Sequence, residues 1–112
     1  MQEYGNFLEE LPSAQEAEVF EALVKTQALT IERIVSRGQR SAPGQWYEQA
    51  QNEWVLLIRG AACLRWDDGT ELALTEGDYV LIPALKRHRV EWTDPTRDTV
   101  WLAVHFAGKL QP

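Results

Sequence analysis

Two imidazoles and a small set of carboxylates are the groups in this chain best suited to chemistry. The 112 residues include only two histidines, His88 and His105. Imidazole titrates near neutral pH and binds transition metals, so each is a candidate base or ligand. His88 closes a regular run: Gly77, five residues, Pro83, then four residues to His88. A second spacing puts six residues between Glu53 and Gly60. A carboxylate such as Glu53 accepts a proton or binds a metal, or it is paired by Arg33, Arg59 or Arg65 and is then structural. Trp46 leads into the polar tripeptide Tyr47-Glu48-Gln49. Its phenol, carboxylate and amide could form the wall of a small-molecule pocket floored by indoles; the plainer reading is an exposed strand. Lys86, Arg87 and Arg89 flank His88 and could draw an anionic substrate, although singly each reads as a solvated loop residue. Arg33 shares a strand face with Ile31 and Val35, so it is a buried ion-pair partner or a carboxylate-binding arginine. Cys63 alternates with Ala62 and Leu64 and reads as a small buried thiol. No Ser-His-Asp order, phosphate loop or Cys-x-x-Cys is present.

Short β-prone runs must position these groups. Thr30–Val35 is a strand candidate, and Pro43-Gly44 turns into Trp46-Tyr47-Glu48. Glu53–Arg59, Ala62–Trp66, Glu71–Leu74, Tyr79–Ile82, His88–Thr93 and Thr99–Phe106 follow, separated by turn residues such as Asp67-Asp68-Gly69. About eight short strands without intervening helices predict an antiparallel sandwich or small barrel. Strand alternation groups Glu53 with Val55 and Leu57, and His88 with Val90 and Trp92. On the last strand Trp101, Ala103 and His105 share a face, and both faces are apolar enough to leave the inner one open. Trp54, Trp66 and Trp101 read as core or subunit-interface residues. The N-terminal stretch differs. Ser13-x-x-Glu16 has the form of a helix capping box, and Ala17, Phe20, Leu23 and Val24 follow at helical spacing. These predict a helix from about Ser13 to about Lys25, making residues 1–28 a lead-in and helix, and 29–112 the β body.

Composition narrows the function classes. Seventeen acids against 11 bases give a net charge of −6, which argues against phosphate-directed binding of nucleic acid. Residues 1–28 hold six of the acids and only Lys25 as base, so the β body is nearly neutral. The single cysteine cannot form an internal disulfide, which suits a cytoplasmic location. No apolar run approaches the roughly 20 residues of a membrane span, and the first residues lack the pattern of a secretory signal.

The Glu53–Gly60 and Gly77–Pro83–His88 spacings together resemble the two signature motifs of the cupin superfamily, over about residues 41–106. The resemblance implies a mostly β, cupin-type antiparallel β-barrel or jelly roll, here with an N-terminal α-helix. It also implies a metal site, normally of three histidines and a glutamate. This chain departs from that set. Tyr47 and Gln49, or in the other register Trp46 and Glu48, stand where the family has its first two histidines. Leu85 replaces the second motif's glycine, and Trp92 its asparagine. The resemblance thus leaves a reduced ligand set for a divalent transition metal (Fe, Mn, Ni or Zn) drawn from Gln49, Glu53, His88 and His105. Tyr47 and Glu48 become candidates for proton transfer, and Arg33, Trp46, Trp92 and Arg89 for substrate contact. The expected function is a small-molecule pocket in a metal-dependent dioxygenase, isomerase or lyase; the alternative is a metal-free binding or sensing module. Expected partners are a small ligand, anionic if the basic cluster serves it, and a second copy of the chain in a homodimer.

Overall fold

A computed structural model describes residues 3–112. It contains eight strands: β1 (Val19–Lys25), β2 (Leu29–Ser36), β3 (Asn52–Arg59), β4 (Ala62–Trp66), β5 (Glu71–Leu74), β6 (Tyr79–Ile82), β7 (His88–Thr93) and β8 (Thr99–Phe106). They form a five-stranded sheet in the order β1-β2-β8-β3-β6 and a three-stranded sheet in the order β5-β4-β7, with antiparallel pairing throughout. Apolar residues from the inner faces meet between the sheets: Ile34, Val55, Leu57, Ile82, Trp101 and Ala103 from the larger, and Ala62, Leu64 and Leu74 from the smaller. No helix among the described residues is long and apolar enough to cross a membrane.

The expected N-terminal helix is absent. Residues 13–18 run as an irregular segment, and residues 19–25 form β1 instead. The capping signal survives only as a 3.5 Å contact from the Gln15 amide N–H to Ser13 Oγ, which shapes a local bend. A lone helix of that length is marginal in water. Six register pairs with β2 and an ion pair outweigh it: Arg33 Nε lies 2.8 Å from Glu21 Oε1 across the two strands. The Arg33 guanidinium also donates to the carbonyls of Phe7 and Glu9 at 3.0 and 2.9 Å, strapping the lead-in over the outer face of the sheet.

Two backbone features set the geometry near His88. A bulge between Cys63 and Leu64 on the β4–β7 ladder sets Cys63 opposite Trp92 and Leu64 opposite Val90, so Glu91 has no partner of its own. Alternation therefore slips after Val90. Thr93 is buried, and Trp92 is turned outward and 44% exposed, not inward with His88 as strict alternation predicts. The turn entering β7 holds Leu85 at φ 68°. Its N–H donates to the Gln49 carbonyl at 2.7 Å, while the Ala84 N–H donates to Asn52 Oδ1 at 3.0 Å. Gly60 is required at its position for a different reason: with φ 99°, an added Cβ would lie 2.7 Å from the Thr99 Cα.

Candidate functional site

Residues on the inner faces of β1, β2, β3, β7 and β8, with Leu64 of β4 and Ile82 of β6, line a half-open cavity of about 390 Å³, within the range of small-molecule sites. Glu53 stands at its centre. On β3 it is opposite His105 of β8 and Ile82 of β6. Glu32, on β2, reaches the same wall from the far side of β8. His88 comes across from the smaller sheet. The Tyr47 N–H donates to the His88 carbonyl at 2.7 Å, and the His88 N–H to the Tyr47 carbonyl at 3.1 Å. That bridge stacks the phenol on the imidazole with centroids 5.5 Å apart. Trp66 meets the same imidazole edge-on at 6.1 Å.

Hydrogen bonding settles the proton positions. His88 Nδ1 lies 3.0 Å from the Lys86 carbonyl, an acceptor, so Nδ1 carries the hydrogen. In the neutral ring the lone pair of Nε2 then faces Glu53 Oε1 at 3.8 Å. His105 Nε2 lies 2.9 Å from Glu32 Oε1 and donates to it, and is 3.8 Å from Glu53 Oε2. Glu53 is thus between two imidazole nitrogens, each too far for a hydrogen bond. Among the described residues no protein group hydrogen-bonds its carboxylate; the residue is only 8% exposed, and its oxygens open onto the cavity. Burial raises its pKa above the ordinary carboxylate value; His105 and His88 pull it down, and Glu32 pushes it up. Burial likewise raises the Tyr47 phenol, with help from the charges of Glu18 and Glu53. Glu18, also on the cavity wall, is raised by burial and partly relieved by the hydroxyl of Ser36.

Of the residues singled out in the sequence, Tyr47, Gln49, Glu53, His88 and His105 line the cavity. Tyr47 and Gln49, not Trp46 and Glu48, therefore occupy the inward register. Glu48 is exposed, 3.6 Å from Arg87 Nε. Trp46 lies under the guanidinium groups of Arg87 and Arg89, at 5.4 and 5.8 Å. Arg89 donates to the carbonyls of Ser41 and Ala42, and its Nε sits 3.0 Å from Glu91 Oε2, a charge contact off the hydrogen-bond angle. Arg33 binds Glu21 and the lead-in on the opposite face of β2. Trp92 points to solvent. Glu18, Glu32 and Trp101 line the cavity without having been singled out for it. Glu32 alternates with Arg33, so once Arg33 is taken as outward the pattern points Glu32 inward.

Two imidazoles and a carboxylate are the donor types of a divalent transition-metal site. Their arrangement does not fit one. Among the described residues no group of three or more His, Cys, Asp or Glu side chains is placed to hold a metal ion. Glu53 turns a different oxygen to each imidazole, and His105 Nε2 already commits its hydrogen to Glu32.

Residues 34–105 match the family described as Cupin domain. The chain belongs to the cupin superfamily. Among solved structures it is similar to a "putative mannose-6-phosphate isomerase" from Ralstonia eutropha JMP134, at 40% identity and TM-score 0.90, over 96% of this chain and 100% of that one. It also resembles a cupin superfamily protein from Desulfitobacterium hafniense DCB-2, at 17% identity and TM-score 0.77, over 96% and 94% of the two chains. A third likeness, to Fe(II) HppE at 19% identity and TM-score 0.68, covers 80% of this chain and 50% of that one. The last two show the fold alone. No curated protein sequence matches the chain.

Proposed function

We propose that this cupin is an enzyme of the isomerase or lyase type that moves a proton on a small hydroxy-carbonyl compound held in the cavity. The observation that carries the reading is the Glu53 carboxylate, open to the cavity without a protein hydrogen bond, between two imidazole nitrogens at 3.8 Å. Glu53 takes the proton from the carbon next to the carbonyl. The Tyr47 hydroxyl gives a proton to the carbonyl oxygen, forming an enediol. Reversal at the neighbouring carbon completes an isomerisation, with no net gain or loss of protons. The isomerase name of the Ralstonia relative supports the same reaction class.

The test is incorporation of deuterium from D2O into a panel of small sugars, read by NMR. Exchange is expected with at least one of them, and Glu53→Gln is expected to lower the rate at least about a hundredfold. Undiminished exchange in that variant would overturn the reading. Metal-assisted chemistry in the same cavity is a second reading, favoured by the donor types of His88, His105 and Glu53 but not by their arrangement. Elemental analysis of protein purified without a histidine tag distinguishes it: stoichiometric metal that disappears in His88→Ala would support it.

A further inference from the structure

The charges around the cavity bear on what enters it. Three carboxylates line it, Glu18, Glu32 and Glu53, together with the two imidazoles. Among the described residues one ammonium, Lys25, opposes them, and no arginine lines the wall. The basic residues beside His88 are spent elsewhere: Lys86 on the Trp66 ring at 4.5 Å, Arg87 on Glu48, and Arg89 on Glu91 and two carbonyls. Glu18 is pinned in place. Trp101 Nε1–H donates to Ser36 Oγ at 3.2 Å, and the Ser36 hydroxyl donates to Glu18. Aromatic faces from Tyr47 and Trp101 complete the wall. Among the described residues the Glu53 carboxylate has no protein hydrogen bond, and its oxygens face the cavity.

We infer that the cavity selects a small ligand carrying an amine or other cationic group and excludes phosphorylated or carboxylated ones. This rests on the reading of the cavity as the functional site and names its ligand class. An ammonium on the ligand finds Glu18, Glu32 and aromatic faces around it, while Glu53 stays free for the carbon-bound proton. A phosphate dianion would meet three carboxylates, with no arginine fork to hold it. The charge near His88 that suggested an anionic ligand lies outside the cavity.

His88 and His105 are the only imidazoles of the chain, and both line the cavity, so nitrogen-15 labelling of histidine reports on it directly. The full chain is titrated with glucosamine and putrescine, and separately with glucose 6-phosphate and inorganic phosphate. Saturable shifts of both imidazole signals are expected with at least one amine, and none with either phosphate compound. Glu32→Gln is expected to weaken the amine about tenfold, the loss of one charge-assisted hydrogen bond. Saturable shifts with the phosphate compounds, with or without an amine response, would overturn the ligand class while leaving the cavity as the site. Silence toward all four compounds would overturn both the ligand class and the site.

Discussion

Desolvating a carboxylate costs free energy, and Glu53 is held mostly out of water, without a protein hydrogen bond among the described residues and with the two nearest imidazole nitrogens 3.8 Å off. Both oxygens can therefore accept from a ligand group that approaches from the cavity. Tyr47 complements it. Its pKa is raised by burial and by Glu18 and Glu53, so the phenol keeps its proton across the working range and serves as a donor. Tyr47→Phe is expected to remove a phenol ionisation above the ordinary tyrosine value in a spectrophotometric titration, and to lower kcat with little change in KM. An unchanged high-pH phenol step would show that Tyr47 is not the shifted group. Glu53 and His88 were legible because their spacings to Gly60 and Pro83 resemble a family pattern. Tyr47 and Gln49 were legible only as one of two registers. Glu32 was hidden because its meeting with His105 depends on the pairing of β2 with β8, which joins residues 73 positions apart. Trp92 was misplaced because a bulge at Glu91 leaves no mark in the alternation.

Seven strands follow from alternation and turn residues, each matching its sequence reading to within a residue at either end. β1 does not, because its apolar residues satisfy helical and strand spacing at once and only contact with β2 decides between them. The turn into β7 carries a different conflict. Leu85 occupies a left-handed conformation, φ 68°, where the family motif has glycine. A non-glycine residue there costs about 1–2 kcal/mol, yet the turn is kept by the bonds from Leu85 to Gln49 and from Ala84 to Asn52. The Leu85 side chain is 64% exposed and contributes little packing. Leu85→Gly is therefore expected to raise stability, by roughly 0.5–1 kcal/mol after the added flexibility of glycine in the unfolded chain is counted. That corresponds to a rise in Tm of roughly 2–5 °C. The imidazole signals of His88 should stay in place. A fall in Tm would mean that the side chain holds the turn through contacts the exposure does not suggest.

Across the whole molecule, two groups of carboxylates pull stability in opposite directions with pH. Asp68, Glu76 and Asp94 are exposed, and hydrogen bonds hold their pKa values below the ordinary range: from Thr70, from the Gly60 N–H, and from Thr96. Their contribution is present above the unfolded carboxylate value and is lost as pH falls through the lowered folded values. Glu18 and Glu53 act oppositely, because burial raises both. The folded state holds their protons more tightly than the unfolded chain, so stability declines as pH rises from the unfolded carboxylate value toward the raised folded ones. Around Glu53 the facing charges are His105, His88 and Glu32; around Glu18 the facing groups are Ser36 and Tyr47. The site is thus a stability cost that the fold carries at neutral pH, as polar catalytic pockets commonly are. Replacing either carboxylate with its amide removes the titration and keeps the shape. Glu53→Gln is expected to be more stable than the parent at pH 7, by on the order of 1 kcal/mol for each unit by which burial raises the group. It should match the parent near pH 4, where the parent's Glu53 is protonated. Denaturant melts at a series of pH values check this, and the difference in stability between the two proteins should grow steadily upward from pH 4. A difference that is constant with pH would mean that the carboxylate is not carrying a buried charge, and that its gap to the imidazoles is closed by protons it never gives up.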